Sequence, residues 1–118
     1  LGAALARVLP IDCTFRLDGD DPMTSLESAV DALHPRLAGK SFFVRLERRG
    51  LHGTLHTSEV ERTLGTVLWR RLEAEGHTPR VTFADPDAIV AVETLGDRAG
   101  VAVIERALRQ AYPFVRIR

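Results

Sequence analysis

Seven residues near the middle of this chain have types and spacing suited to one kind of chemistry, the holding of anions: Lys40, Arg45, Arg48, Arg49, His52, His56 and Arg62. A planar guanidinium presents forked N–H donors that match phosphate oxygens. Sequence-independent binding of a nucleic acid needs several such cations opposite successive phosphates. Gly50 and Gly53 place a loop inside the cluster; a strand edge, a glycine loop and a helix N-terminus together add backbone N–H donors. The plainer account of such a charge run is a solvated strand face paired with carboxylates, here Glu47, Glu59 or Glu93, and composition alone favours it. Arg70, Arg71 and Arg80 extend the positive charge, with solubility as their ordinary role. Phe43 shares strand parity with Arg45, and a ring beside arginines can stack an unpaired base; packing against a second layer is the commoner use. Trp69 falls one position off the apolar stripe of its helix, where a rim residue closing the core is commoner than a stacking platform.

Other chemistries fit less well. His52 and His56 are four apart, with His34 and His77 elsewhere. Zinc needs His or Cys ligands held rigidly, usually four, whereas Gly53 puts a loop between this pair. The expectation is no metal and no cofactor. Cys13 as a nucleophile would need a partnered histidine and a depressed pKa; it falls on the buried parity of its strand and reads as a small core hydrophobe. Asp85 and Asp87 flank Pro86, and a carboxylate pair can do acid–base work, but a turn residue and a strand-entry residue account for both. Glu93 interrupts an apolar run, where an unpaired carboxylate is costly, so it marks the strand's exposed end or pairs with an arginine on the neighbouring strand. No phosphate loop, dinucleotide fingerprint or Ser-His-Asp arrangement occurs.

The scaffold that must position these residues is small. The chain has 118 residues, 45% hydrophobic and 27% charged, about the size of one soluble domain. The expectation is a single domain over residues 1–118, with no room for an added nucleotide-binding catalytic domain. Net charge is zero, which lacks the simplest signature of a nucleic-acid binder, but its distribution is uneven. Residues 1–39 carry 3 Lys/Arg and 6 Asp/Glu, residues 40–80 carry 8 and 5, and residues 81–118 carry 5 and 5. The middle third is therefore the basic one, which permits an anionic partner on one face. A single cysteine excludes an internal disulfide and makes a cytoplasmic setting the default. The longest apolar run, Ala88 to Val92, is far too short for a membrane span. No basic segment followed by an apolar one opens the chain, which starts at Leu1 as an excerpt or trimmed protein would.

Periodicity supplies the elements. Ile11 to Leu17 alternates as a half-buried strand, and Asp18 to Pro22 breaks it. Thr24 with Glu27 has capping-box spacing, followed by Leu26, Val30, Leu33 and Leu37 at helical intervals until His34-Pro35 kinks or ends the helix. Ser41 to Arg48 is a strand with Phe42, Val44 and Leu46 on one side. Ser58 with Glu61 repeats the capping-box spacing, and Val60, Leu64, Val67, Leu68 and Leu72 form the stripe of a helix that Gly76 ends. Val81 to Phe83 is extended. Ala88 to Thr94 reads as a covered central strand, and Leu95 to Gly100 as a hairpin loop into Val101–Ile104. Ile104, Ala107, Leu108 and Ala111 give a short last helix. The order β-α-β-α-β-β-α implies a layered α/β domain, a mixed β-sheet packed with two to three helices.

Four pieces of this pattern, in order, resemble the THUMP domain, and within that family the branch found in tRNA-acetylation adaptor proteins. They are Val8-Leu9-Pro10-Ile11; Phe42-Phe43-Val44-Arg45 with Arg48, Arg49 and a glycine loop; Ser58-Glu59-Val60-Glu61 running on to Leu64-Gly65; and Asp85-Pro86-Asp87 leading into Val90-Ala91-Val92-Glu93, a hairpin and Ala111-Tyr112. The likeness covers roughly residues 8–114, the span of one ordinary domain. It implies tRNA as ligand, a separate tRNA-modifying enzyme as partner, no catalytic activity of the chain's own, and an RNA-contacting surface at Arg45, Arg48, Arg49 and the following loop. It thereby reverses the plainer reading of the basic cluster. Catalytic members of the family carry a methyltransferase, deaminase or thiolation domain alongside, which this sequence does not show. Two alternatives remain: an RNA-binding domain excised from a larger methyltransferase or thiouridine synthase, and a small α/β protein-interaction or ligand-sensing domain.

Overall fold

A computed structural model describes residues 13–17, 21–49 and 56–111, the side chains of Cys13, Arg49 and residues 109–111 excepted. The opening strand proposed over residues 8–11, His52 and the glycine loop lie outside the described residues. The described chain runs β1 (Cys13–Arg16), α1 (Pro22–Asp31), a 3-10 turn (His34–Leu37), β2 (Ser41–Arg49), α2 (Thr57–Ala74), β3 (Arg80–Val81), β4 (Ala88–Leu95), β5 (Arg98–Glu105) and α3 (Arg106–Ala111). The five strands form one mixed sheet in the order β1-β5-β4-β2-β3. β2 pairs in parallel with both β4 and β3, while β5 pairs antiparallel with β4 and β1. A parallel neighbour requires a crossover, and α2 makes it between β2 and β3.

Helix α2 buries one stripe, Val60, Leu64, Leu68 and Leu72, at a strict four-residue interval. That stripe meets Phe42, Val44 and Leu46 of β2 and Val90 and Val92 of β4, together with Leu26 and Val30 of α1, in a single core. Alternation along β2 and β4 sends Phe43 and Arg45, and Ile89 and Ala91, to the opposite face, where Ile89, Ala91 and Ile104 form a smaller cluster with Phe43 and Leu108. Phe43 is thus a packing residue of a second layer, as its parity suggests. The mixed sheet with packed helices is the architecture that periodicity implies.

Several local expectations are corrected. Helix α1 starts at Pro22 instead of Thr24: Asp21 is its N-cap and accepts the Thr24 N–H at 3.2 Å, with proline in the first turn, where its missing N–H costs nothing. The α1 helix ends at Asp31, ahead of His34-Pro35. At the second helix Glu61 closes no capping box, because its Oε2 accepts the N–H of Leu46 on β2 at 2.8 Å, and the N-cap is His56, which makes no side-chain cap. The hairpin turn is shorter than Leu95–Gly100, with Gly96 and Asp97 between β4 and β5. Ile104 belongs to β5, and β3 is only Arg80–Val81. Gly76 does end α2: at φ +85° it holds the left-handed position that returns the His77 N–H to Leu72 O at 3.0 Å.

Candidate functional site

The basic cluster does not converge on one spot. Lys40 precedes β2 and its Nζ lies 3.0 Å from Glu105 Oε1, so its charge is engaged at the start of the strand. Arg48 and Arg49 sit at the far end, eight or nine residues on, about 25–30 Å away along an extended strand. Arg48 has helix-facing parity and is engaged within the fold; the Arg49 side chain and His52 are outside the described residues. Arg45 lies mid-strand on the other face, half-buried, and its Nε is buried with no hydrogen-bond partner among the described residues. His56 caps α2 positionally, exposed, and Arg62 is exposed in the second turn of that helix.

The described cations divide by partner. Arg16 pairs with Asp97 at 3.0 Å, Arg36 and Lys40 face Glu105, Arg71 lies between Asp31 and Glu75, and Arg80 and Arg106 face Asp87. Arg45, Arg62, Arg70 and Arg98 make no such contact among the described residues, and of these Arg98 lies apart, at the start of β5. Sequence reasoning assigned Arg70 to solubility; its lack of a carboxylate partner is a tertiary fact that no spacing rule carries.

The remaining candidates are structural. Asp85 has φ +48°, a left-handed turn position that aspartate tolerates, and its carboxylate and carbonyl hold Arg106 at 3.2 and 2.8 Å. Asp87 Oδ2 accepts from the Ser41 backbone N–H at 2.9 Å and from Ser41 Oγ at 3.2 Å, while its own N–H donates to Ser41 Oγ at 3.0 Å. This reciprocal clasp joins the entry of β4 to the start of β2, so the turn-and-entry account of the pair holds. Glu93 is not at an exposed strand end: it is 3% exposed, in register with Glu47 and Gly100. His34 is buried, with Nδ1 donating to Asp31 O at 2.7 Å and Nε2 facing Glu75 Oε2 at 2.9 Å, which ties the end of α1 to the end of α2. Among the described residues no group of three or more His, Cys, Asp or Glu is placed to hold a metal ion, and no helix is long and apolar enough to cross a membrane.

The Ser41 N–H, against the opposing cost of burial, holds the Asp87 carboxyl below its ordinary 3.8, helped by Ser41 Oγ and by Arg106 and Arg80. A depressed folded-state pKa contributes stability that is present above the unfolded value and lost as pH falls through the folded one. Asp87→Asn should therefore lower Tm at pH 5, and the gap to the parent should close on titration from pH 5 to pH 2. A gap that stays constant over that window would show the carboxylate charge to be irrelevant.

A family model described as the THUMP domain matches residues 24–104. The tRNA sulfurtransferase of Klebsiella pneumoniae subsp. pneumoniae is 37% identical over 99 residues, covering 80% of this chain and 19% of that protein. The chain thus spans about a fifth of the length of that curated relative. The crystal structure of TrmN from Thermus thermophilus matches with TM-score 0.65 and 36% identity over 79% of this chain and 27% of that one. The solution structure of the THUMP domain of THUMP domain-containing protein 1 shares the fold, with TM-score 0.60 and 18% identity over 75% of this chain and 89% of that one. With the family model covering well over half of its residues, the chain belongs to the THUMP domain family.

Proposed function

We propose that this chain is an RNA-docking domain that holds tRNA for a modification reaction whose catalytic centre lies outside these residues, in a cytoplasmic setting. The observation that carries the reading is the set of guanidiniums on β2 and α2 with no carboxylate partner among the described residues, Arg45, Arg62 and Arg70, where most other described arginines, Arg98 excepted, are engaged. A partnerless guanidinium on a neutral protein keeps its forked donors available to a phosphate. Family membership and the tRNA-directed activity named for the sulfurtransferase relative support tRNA as the polyanion. Lys40, Arg48, Arg49, His52 and His56 remain the other proposed contacts, with Lys40 weakened by its Glu105 partner.

Two organisations are compatible with docking: an adaptor serving a separate tRNA-modifying enzyme, and an RNA-binding unit of one longer enzyme polypeptide. The sulfurtransferase relative, of which the match is 19%, favours the second. In either, no transfer step is assigned to this chain. Few arginines reach phosphates, so filter binding of tRNA across a salt series should give a slope of log affinity against log salt of roughly −2 to −5. No retention of tRNA at low salt, or a flat slope, would overturn the docking reading.

A further inference from the structure

Helix α2 buries one side against the sheet and leaves its outer side bare. There Arg62, Thr66, Trp69 and Glu73 follow at intervals of four, three and four residues, so they form one seam along the helix, flanked by Gly65 and Arg70. All are exposed except the half-buried Gly65. Trp69, 36% exposed, puts a large apolar ring at the middle of the seam. Val81, 45% exposed, and Phe83, 77% exposed, extend the apolar surface beside the helix. Arg62, Arg70 and Glu73 form no ion pair among the described residues.

The seam is its own complement. Laid antiparallel on a second copy about a two-fold axis through its midpoint, it sets Arg62 against Glu73 of the second copy, and Glu73 against Arg62. Thr66 and Trp69 then exchange places in the same way, because a two-fold axis makes each contact occur twice. Two opposite-charge pairs thus bracket the rings, about 16 Å apart along the helix. A parallel arrangement would instead set Arg62 on Arg62 and Glu73 on Glu73. Gly65 is a further observation. Glycine weakens the interior of a helix relative to alanine, yet a Cβ built at Gly65 meets nothing within 4 Å, so the fold itself does not require its absence. Beside Thr66, the missing side chain leaves a notch that an incoming indole can fill. A β-strand is a poorer occupant of this side, because pairing along β2 needs the Leu46 N–H, which Glu61 holds at 2.8 Å.

We propose that the outer face of α2 is a self-association surface, on which two copies of this chain pair antiparallel through Trp69 and Gly65 with reciprocal Arg62–Glu73 ion pairs at the two ends. Exposed ion pairs add little affinity but fix register and partner; the apolar surface of Trp69, Val81 and Phe83 supplies the attraction. A patch of one helix face gives a weak pair, with a dissociation constant of about 10–100 μM. Below that concentration the monomer, with Arg62 free for an anion, is the main species.

Trp69 is the only tryptophan in the sequence, so its fluorescence reports this face directly. Sedimentation equilibrium of the purified chain, without RNA, from about 1 μM to about 1 mM should show a monomer passing to a dimer. The Trp69 emission should move to shorter wavelength in step with the dimer fraction. Arg62→Glu and Glu73→Arg each bring like charges together at both ends of the seam and should weaken association by about tenfold or more. An equimolar mixture of the two variants should pair as the parent does, since each end again joins an acid to a base; this rescue also shows that neither variant is misfolded. A parent that stays monomeric throughout overturns the proposal. So does a dimer with unchanged Trp69 emission, or one that both charge variants form as readily as the parent, because another face then makes it. Variants that weaken pairing singly and fail to rescue each other overturn the antiparallel register.

Discussion

Leu64→Ala should destabilise the protein by about 2–5 kcal/mol, the largest effect expected from any single substitution considered. Leu64 is fully buried at the centre of the α2 stripe, between Val60 and Leu68, and belongs to the core shared with β2, β4 and α1. Truncation loses the transfer free energy of the removed carbons and leaves a cavity that a parallel sheet backed by a long helix relaxes into poorly. The denaturant midpoint should fall with the slope m unchanged, since the surface exposed on unfolding is nearly the same. A loss below about 1 kcal/mol would mean that α2 is not clamped to the sheet by this stripe. Binding of RNA should be normal in the folded fraction, because the Leu64 side chain is fully buried and presents nothing to a ligand.

That stripe was legible in the sequence because a helix with one buried face must repeat its apolar residues near every 3.6 positions. The β2 alternation of Phe42, Val44 and Leu46 was legible for the matching reason, a period of two. Helix starts were less legible. Thr24 with Glu27 and Ser58 with Glu61 have capping-box spacing, yet Asp21 caps the first helix and Glu61 instead satisfies a strand N–H fifteen residues back in the chain. Spacing within a helix cannot report a competing donor on another element, and an open sheet edge is such a donor. The site was legible to a similar depth. Residue types pointed to anion binding, but partner choice is tertiary: Lys40 is engaged by Glu105, whereas Arg70, assigned to solubility, has no carboxylate partner among the described residues. Trp69 reads as a rim residue from its position one place off the stripe, and in the structure it stays partly exposed on α2.

Arg45→Met should lower RNA affinity about tenfold while leaving stability unchanged or raised by up to about 1 kcal/mol. Surface arginines usually pack their stems and solvate their heads. Arg45 departs from that: it is half-buried in mid-β2, in register with Ala91, and its Nε is buried with no acceptor among the described residues. An unmet buried donor costs folding free energy, so replacing the guanidinium with an apolar chain of similar length removes that cost and keeps the packing. The terminal nitrogens of the same guanidinium are the ones a phosphate would meet, so the function lost and the stability gained come from one side chain. Filter binding should also show a salt slope less negative by about one, and Arg45→Lys, which keeps the charge without the fork, should fall between parent and Met. Combining Arg45→Ala with Arg49→Ala should deepen the loss of RNA binding with little further change in Tm. If Arg45→Met instead lost more than about 2 kcal/mol of stability yet bound tRNA normally below its Tm, the arginine would be a structural residue. The docking surface would then have to be sought around Arg62 and Arg70 alone.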